Sequence, residues 1–178
     1  MVVRPTRVLT YEDYARFPDD GRRFEVIEGE AFMVPSPEVA HQELLQRLFR
    51  YIDRHVESNG GGRVFVAPLD VLLSDVNVVQ PDVIFVSDER SEIVGVKNLR
   101  GVPTWLIEIV SDPVRDQKVK RDLYMSFGVD EYWAVVPKPA MIEVHVPGLA
   151  ANVVEPPARI RPACLPGLEI DLSELFAD

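Results

Sequence analysis

Cysteine is almost absent: Cys164 is the only one in 178 residues. A lone thiol cannot close an internal disulfide, and no Cys/His cluster accompanies it, so neither crosslinks nor structural zinc is expected. Long apolar runs are missing too. None approaches the roughly 18 residues that a bilayer span requires. The opening MVVRPTRVLTYEDY has no stretch long enough for the apolar region of a secretory leader. The compartment expected from these absences is a reducing cytoplasm. Positive charge is scarce, with 19 Lys and Arg against 29 Asp and Glu and a net charge of -10. That balance argues against broad, non-specific DNA affinity, because DNA binders usually carry a basic patch. A carboxylate cluster holding divalent cations would nevertheless present a locally positive surface.

What is present is ordinary for a folded protein: 47% hydrophobic and 27% charged residues. The length predicts one domain over residues 1–178 with a sizeable core. Thr10-Tyr11-Glu12-Asp13 reads as a capped helix start, ending before Pro18, and Asp19-Asp20-Gly21 as a turn. Apolar runs on either side of Glu28-Gly29 predict a hairpin. Ser36-Pro37 predicts the N-cap and first residue of a helix whose apolar stripe begins at His41 and continues through Leu45, Leu48 and Ile52. Strands are expected at residues 64–66, 69–73 and 83–86, and residues 87–100 read as loop with at most a short helical turn. Residues 104–110 are almost wholly apolar, as a central strand buried on both faces should be. Asp112-Pro113 opens a helix that Gly128 closes. Strands at 131–136 and 141–146 flank a Pro137-Lys138-Pro139 turn, and from Pro147 a proline-rich, irregular tail follows, ending in residues 168–170 and a last helical turn near residues 172–176. This order predicts an α/β fold with a mixed sheet.

Glu108 is the only charge in its strand, where a carboxylate is costly unless something pairs with it. A buried ion pair and a metal ligand are both open for it. Asp82, at the entrance to another apolar strand, reads alone as a strand-end cap. If the two strands are neighbours, their carboxylates can converge on one hard cation, since Mg²⁺ takes one or two carboxylates plus water and phosphate oxygens. Asp116, Lys120 and Tyr124 share one helix face, and Val119, Leu123 and Phe127 another. The plain reading of the first face is a solvated Asp116–Lys120 pair. The short loop after Glu108 nonetheless starts this helix beside the carboxylates, where Lys120 could hold a phosphate or a water. Lys118 is expected to be a solvated surface residue. His41 sits where leucine would pack better, either as a hydrogen-bonded core residue or with a functional role, and Glu25 is its candidate partner.

One resemblance joins these residues. Pro81-Asp82, Glu108-Ile109-Val110-Ser111, Asp116 through Lys120 to Tyr124, and Gly128-Val129-Asp130-Glu131-Tyr132-Trp133 resemble the Uma-type family of restriction-endonuclease-like proteins in the PD-(D/E)XK superfamily. Phe24-Glu25-Val26-Ile27-Glu28-Gly29-Glu30 and His41 also match, so the similarity covers roughly residues 10 to 170. It implies a restriction-endonuclease-like mixed β-sheet flanked by helices. It further implies a Mg²⁺-dependent (Mn²⁺ possible) endonuclease acting on DNA, with Asp82 and Glu108 as metal ligands. The superfamily lysine two residues after the glutamate is replaced here by Val110, and Lys120 matches the helix lysine that substitutes for it. Glu25 and His41 match further positions near the site. A homodimer is expected, since one-domain subunits cut both strands most simply in pairs. The competing expectation is a catalytically silent binding or assembly module on the same fold.

Overall fold

The computed structural model describes residues 7–177. Residues 1–6, which open the segment expected to lack a leader, lie outside them. The first helix, α1 (Tyr11–Tyr14), carries the predicted capping box: the Thr10 hydroxyl accepts from Asp13 N–H, and the Asp13 carboxylate accepts from Thr10 N–H. The predicted hairpin is β1 (Arg23–Ile27) and β2 (Glu30–Val34). The long helix α2 (Val39–Asn59) starts later than expected, with Glu38 rather than Ser36 as its N-cap. Glu38 keeps an extended backbone (φ -74°, ψ 162°), so Pro35 through Glu38 run along the rim of a cleft before the helix begins.

The strands β3 (Gly62–Val66), β4 (Val71–Ser74), β5 (Asn77–Val79) and β6 (Val83–Ser87) follow. The segment expected to be loop holds a 3₁₀ turn at Asp88–Ile93 and the short β7 (Leu99–Arg100) before β8 (Trp105–Ile109). The chain then crosses over through a π-helix (Arg115–Lys120) that runs into α3 (Arg121–Phe127). Gly128, at φ 80°, ends it as predicted. Next come β9 (Glu131–Val136), β10 (Met141–His145), β11 (Asn152–Val154), β12 (Arg159–Ile160), β13 (Ile170–Asp171) and α4 (Leu172–Leu175). The tail expected to be irregular thus contributes a two-stranded pair, β12–β13.

The strands divide between two larger sheets. One is a mixed six-stranded sheet, β11-β10-β9-β8-β6-β3, with a parallel β8–β9 pair; the other is a five-stranded sheet, β2-β1-β5-β4-β7. Strands β6 and β8 are neighbours, the condition for their carboxylates to converge, and they run antiparallel. The central strands of the six-stranded sheet are buried on both faces. Val83, Phe85, Trp105, Ile107, Ile109 and Trp133 meet Leu44, Leu45, Leu48 and Ile52 of α2 on one side. Each such side chain removed from water contributes about 1.5–3 kcal/mol. Ile84, Val86, Leu106, Tyr132 and Ala134 face the other way, against α3 and apolar residues of the five-stranded sheet. By the period-2 alternation of a strand, Asp82 and Glu108 belong to this second face.

Candidate active site

Strand register brings the two carboxylates together. Val83 pairs with Ile107, so one step further along the antiparallel ladder Asp82 stands opposite Glu108. Asp82 Oδ2 accepts the N–H of Ile109 at 2.8 Å, which fixes the aspartate to the end of the neighbouring strand. On the other side of β8, Glu108 lies beside Ala134 in the register.

Lys120 arrives from the crossover. Its Nζ lies 2.8 Å from Glu25 Oε1 and 3.0 Å from Glu108 Oε1, and all three side chains are buried. An ammonium taken out of water costs several kcal/mol, and two carboxylate partners offset that cost. One turn on, Tyr124 donates its hydroxyl to the same Glu108 oxygen at 2.7 Å. Of the two readings of this helix face, the solvated Asp116–Lys120 pair does not form, and Lys120 stands beside the carboxylates. Asp116 is buried instead, its Oδ2 accepting from Ser111 N–H and Asp112 N–H at 2.9 Å each, and its Oδ1 held by Arg115 Nε at 3.0 Å. The hydroxyl of Tyr132 donates to the Asp116 carbonyl at 2.7 Å and ties the crossover to β9. Lys118 is exposed, as expected.

The partner expected for His41 is wrong. His41 Nε2 sits 3.2 Å from Asp82 Oδ2, whereas Glu25 takes Lys120 and the Gln80 N–H at 2.7 Å. The cause is the layering: α2 packs on one face of the six-stranded sheet and β1 lies beyond the other, with Asp82 at the strand end between them.

Burial works to raise the Glu108 carboxyl above the ordinary carboxylate range, opposed by Lys120 and reinforced by the charges of Asp82, Glu25 and Asp116. Burial also works against the charge on Lys120, but Glu108, Glu25 and Asp116 outweigh it and hold the ammonium above its ordinary value. For Asp116 burial is outweighed by Lys120, by the Asp112 and Ser111 N–H groups and by Arg115, so its carboxyl lies below the usual range. His41 is raised, since Asp82 and Asp116 overcome its desolvation.

These groups line a cavity of about 560 Å³ together with the cleft rim, Ser111, Arg115 and Lys138. Asp82, Glu108, Lys120 and His41 all reach it; Glu25 stands behind Lys120 and is not part of the lining. Among the described residues no three His, Cys, Asp or Glu side chains converge as a ready-made cation cage. The donor set still suits a hard cation that keeps its waters. Asp82 Oδ1 and Glu108 Oε2 accept no hydrogen bond from the described residues, so each carboxylate keeps one oxygen available. Glu25 Oε2, away from the cleft lining, is buried without a partner. Two carboxylates with water and phosphate oxygens is how Mg²⁺ is commonly held.

Gln80, Ser111 and Arg115 also belong to the site and were not among the residues expected there. Arg115 had a faint signal, an arginine directly before the aspartate of the shared helix face. The backbone donors of Gln80 and Ser111 had none, because any residue type supplies an N–H.

The fold matches that of the crystal structure of a putative nuclease belonging to DUF820 from Anabaena variabilis, with a TM-score of 0.80 at 22% identity, covering 95% of this chain and 98% of that one. This is the mixed-sheet nuclease fold. A family model for Uma2, described as "Putative restriction endonuclease", matches residues 11–173, and the chain belongs to that family. No curated protein matches the chain. No helix among the described residues is long and apolar enough to cross a membrane.

Proposed function

We propose that the chain is a single-domain phosphodiesterase that hydrolyses DNA internally with Mg²⁺, Mn²⁺ being a workable substitute. The observation that carries this reading is the meeting of Asp82 and Glu108, each with an oxygen to spare, beside a buried lysine in one cleft. Asp82 and Glu108 would hold the ion, which when bound supplies Lewis-acid polarisation of a phosphoryl oxygen and an acidified water.

The chain's own residues do the rest. Lys120 brings a positive charge to the developing phosphorane-like oxygens or orients the attacking water. Glu25 fixes that ammonium from behind, at 2.8 Å, and Tyr124 holds the Glu108 carboxylate in place at 2.7 Å. His41 and the Ile109 N–H aim Asp82. A cytoplasmic location and a homodimer accompany this reading. Light scattering at micromolar concentration tests the dimer, and a monomer mass would refute it.

The net charge of -10 favours a second reading, a silent binding or assembly module that keeps the fold. A cleavage assay on plasmid and linear DNA, with Mg²⁺, with Mn²⁺ and with chelator, separates the two. Divalent-dependent nicking or linearisation supports the phosphodiesterase. Intact DNA under every condition supports the silent module.

A further inference from the structure

The cleft holds a second organised cation that the mechanism above leaves unused. Arg115 opens the π-helix and lines the cleft. Its side chain is only 14% exposed. The guanidinium is tethered twice: Nε donates to Asp116 Oδ1 at 3.0 Å, and Nη2 donates to Ser111 Oγ at 3.2 Å. Asp116 is itself immobilised by the N–H groups of Ser111 and Asp112, so the tether ends on a buried carboxylate and not on a mobile surface side chain.

Those bonds occupy one edge of the group. Arginine presents five N–H donors in a fixed plane. The opposite edge, formed by Nη1 and the second Nη2 hydrogen, has no partner among the described residues. Two parallel N–H groups fit two non-bridging oxygens of a phosphate, a match that lysine cannot reproduce. A simple brace between the Ser111 turn and the helix would need no guanidinium edge left over beside a cleft.

We propose that Arg115 binds a backbone phosphate of a nucleic-acid strand lying in the cleft, with Asp116 and Ser111 as the posts that hold its fork in position. This rests on the phosphodiesterase reading and deepens it. The contact is to phosphate, so it positions the strand without reading its sequence. It gives a chain of net charge -10 a local grip that needs no broad basic patch.

The test measures binding. A short fluorescein-labelled oligodeoxynucleotide is titrated by anisotropy over a range of salt, with Ca²⁺ in place of Mg²⁺ so that the carboxylates are neutralised without turnover. Arg115→Gln should bind about tenfold more weakly, and its slope of log affinity against log salt should be shallower by about 0.7 to 0.9. A merely structural role would leave that slope unchanged. Arg115→Lys should keep the slope and lose affinity. Arg121→Gln, which removes a guanidinium paired with Asp122 at 2.7 Å outside the cleft lining, should match the parent. If Arg115→Gln does not fold, Arg115→Lys decides, and parental affinity there overturns the proposal. A parent that binds while Arg115→Gln binds equally, with the same slope, overturns this proposal alone. A parent that binds no DNA overturns the phosphodiesterase reading as well.

Discussion

Lys120 and Glu108 meet at 3.0 Å although the lysine stands on a helix and the glutamate in a central strand. Two residues after Glu108 the strand end carries Val110, which brings no charge. The crossover returns a cation to the same carboxylate by another route, since the π-helix and α3 begin just beyond the end of β8 and turn Lys120 and Tyr124 back onto it.

Replacing that cation should affect stability as well as cleavage. Lys120→Met leaves Glu25 and Glu108 buried without a counter-charge, a truncation that typically costs about 3–5 kcal/mol. Lys118→Met, on the exposed side of the same helix, should unfold with the parent. Urea denaturation measures the first expectation and DNA cleavage the second, with only Lys120→Met losing activity. Two variants that cut and unfold like the parent would make Lys120 a bystander.

Glu108→Gln keeps an oxygen to accept from Tyr124 and Lys120, so the fold should persist while the charge is lost. Calorimetric titration with Mn²⁺ should show affinity reduced by more than about tenfold. Unchanged affinity in a folded Glu108→Gln would remove Glu108 from the metal assignment.

Tyr124→Phe isolates one bond, the hydroxyl to Glu108 Oε1 at 2.7 Å. Its loss leaves Lys120 as the only donor to that oxygen, and stability should fall by about 1–3 kcal/mol. A thermal melt reads this directly, and an unchanged midpoint would mean that the bond contributes nothing net.

Acid stability should depend on Asp116. Its folded carboxyl lies below the ordinary range, so the contribution is fully present above the unfolded value near 3.8 and disappears as pH falls through the folded value. The stability difference between the parent and Asp116→Asn should therefore be level at neutral pH and shrink on acidification below about pH 4. A difference that instead widened with acid would reverse the assigned sign.

Much of this site is legible in the sequence alone. Glu108 declared itself as one charge inside an apolar strand, and the i, i+4, i+8 spacing of Asp116, Lys120 and Tyr124 placed them on a common face that the π-helix preserves. Partner choice was hidden. Glu25 and His41 looked like a pair because both precede or open α2 in sequence, but a sheet lies between them, and layering is a property of long-range register that local spacing does not encode. The late start of α2 was hidden for a related reason. Ser36-Pro37 has good capping chemistry, yet the chain stays extended through Glu38 along the cleft rim. The division into two larger sheets likewise depends on which edges β1 and β6 find, and alternation within each strand is silent about that.

Lys120 also has one foot in each of the larger sheets, Glu25 in β1 and Glu108 in β8. The bond that would serve chemistry is thus also a rivet across the seam. On the phosphodiesterase reading, a relative without cleavage would still be selected to keep the lysine, because losing it leaves two buried carboxylates without a counter-charge. Retention of Lys120 in such a relative would therefore reflect cohesion as much as catalysis. On the same reading Asp82, at the strand end and outside that rivet, is the position whose loss would mark a relative without cleavage.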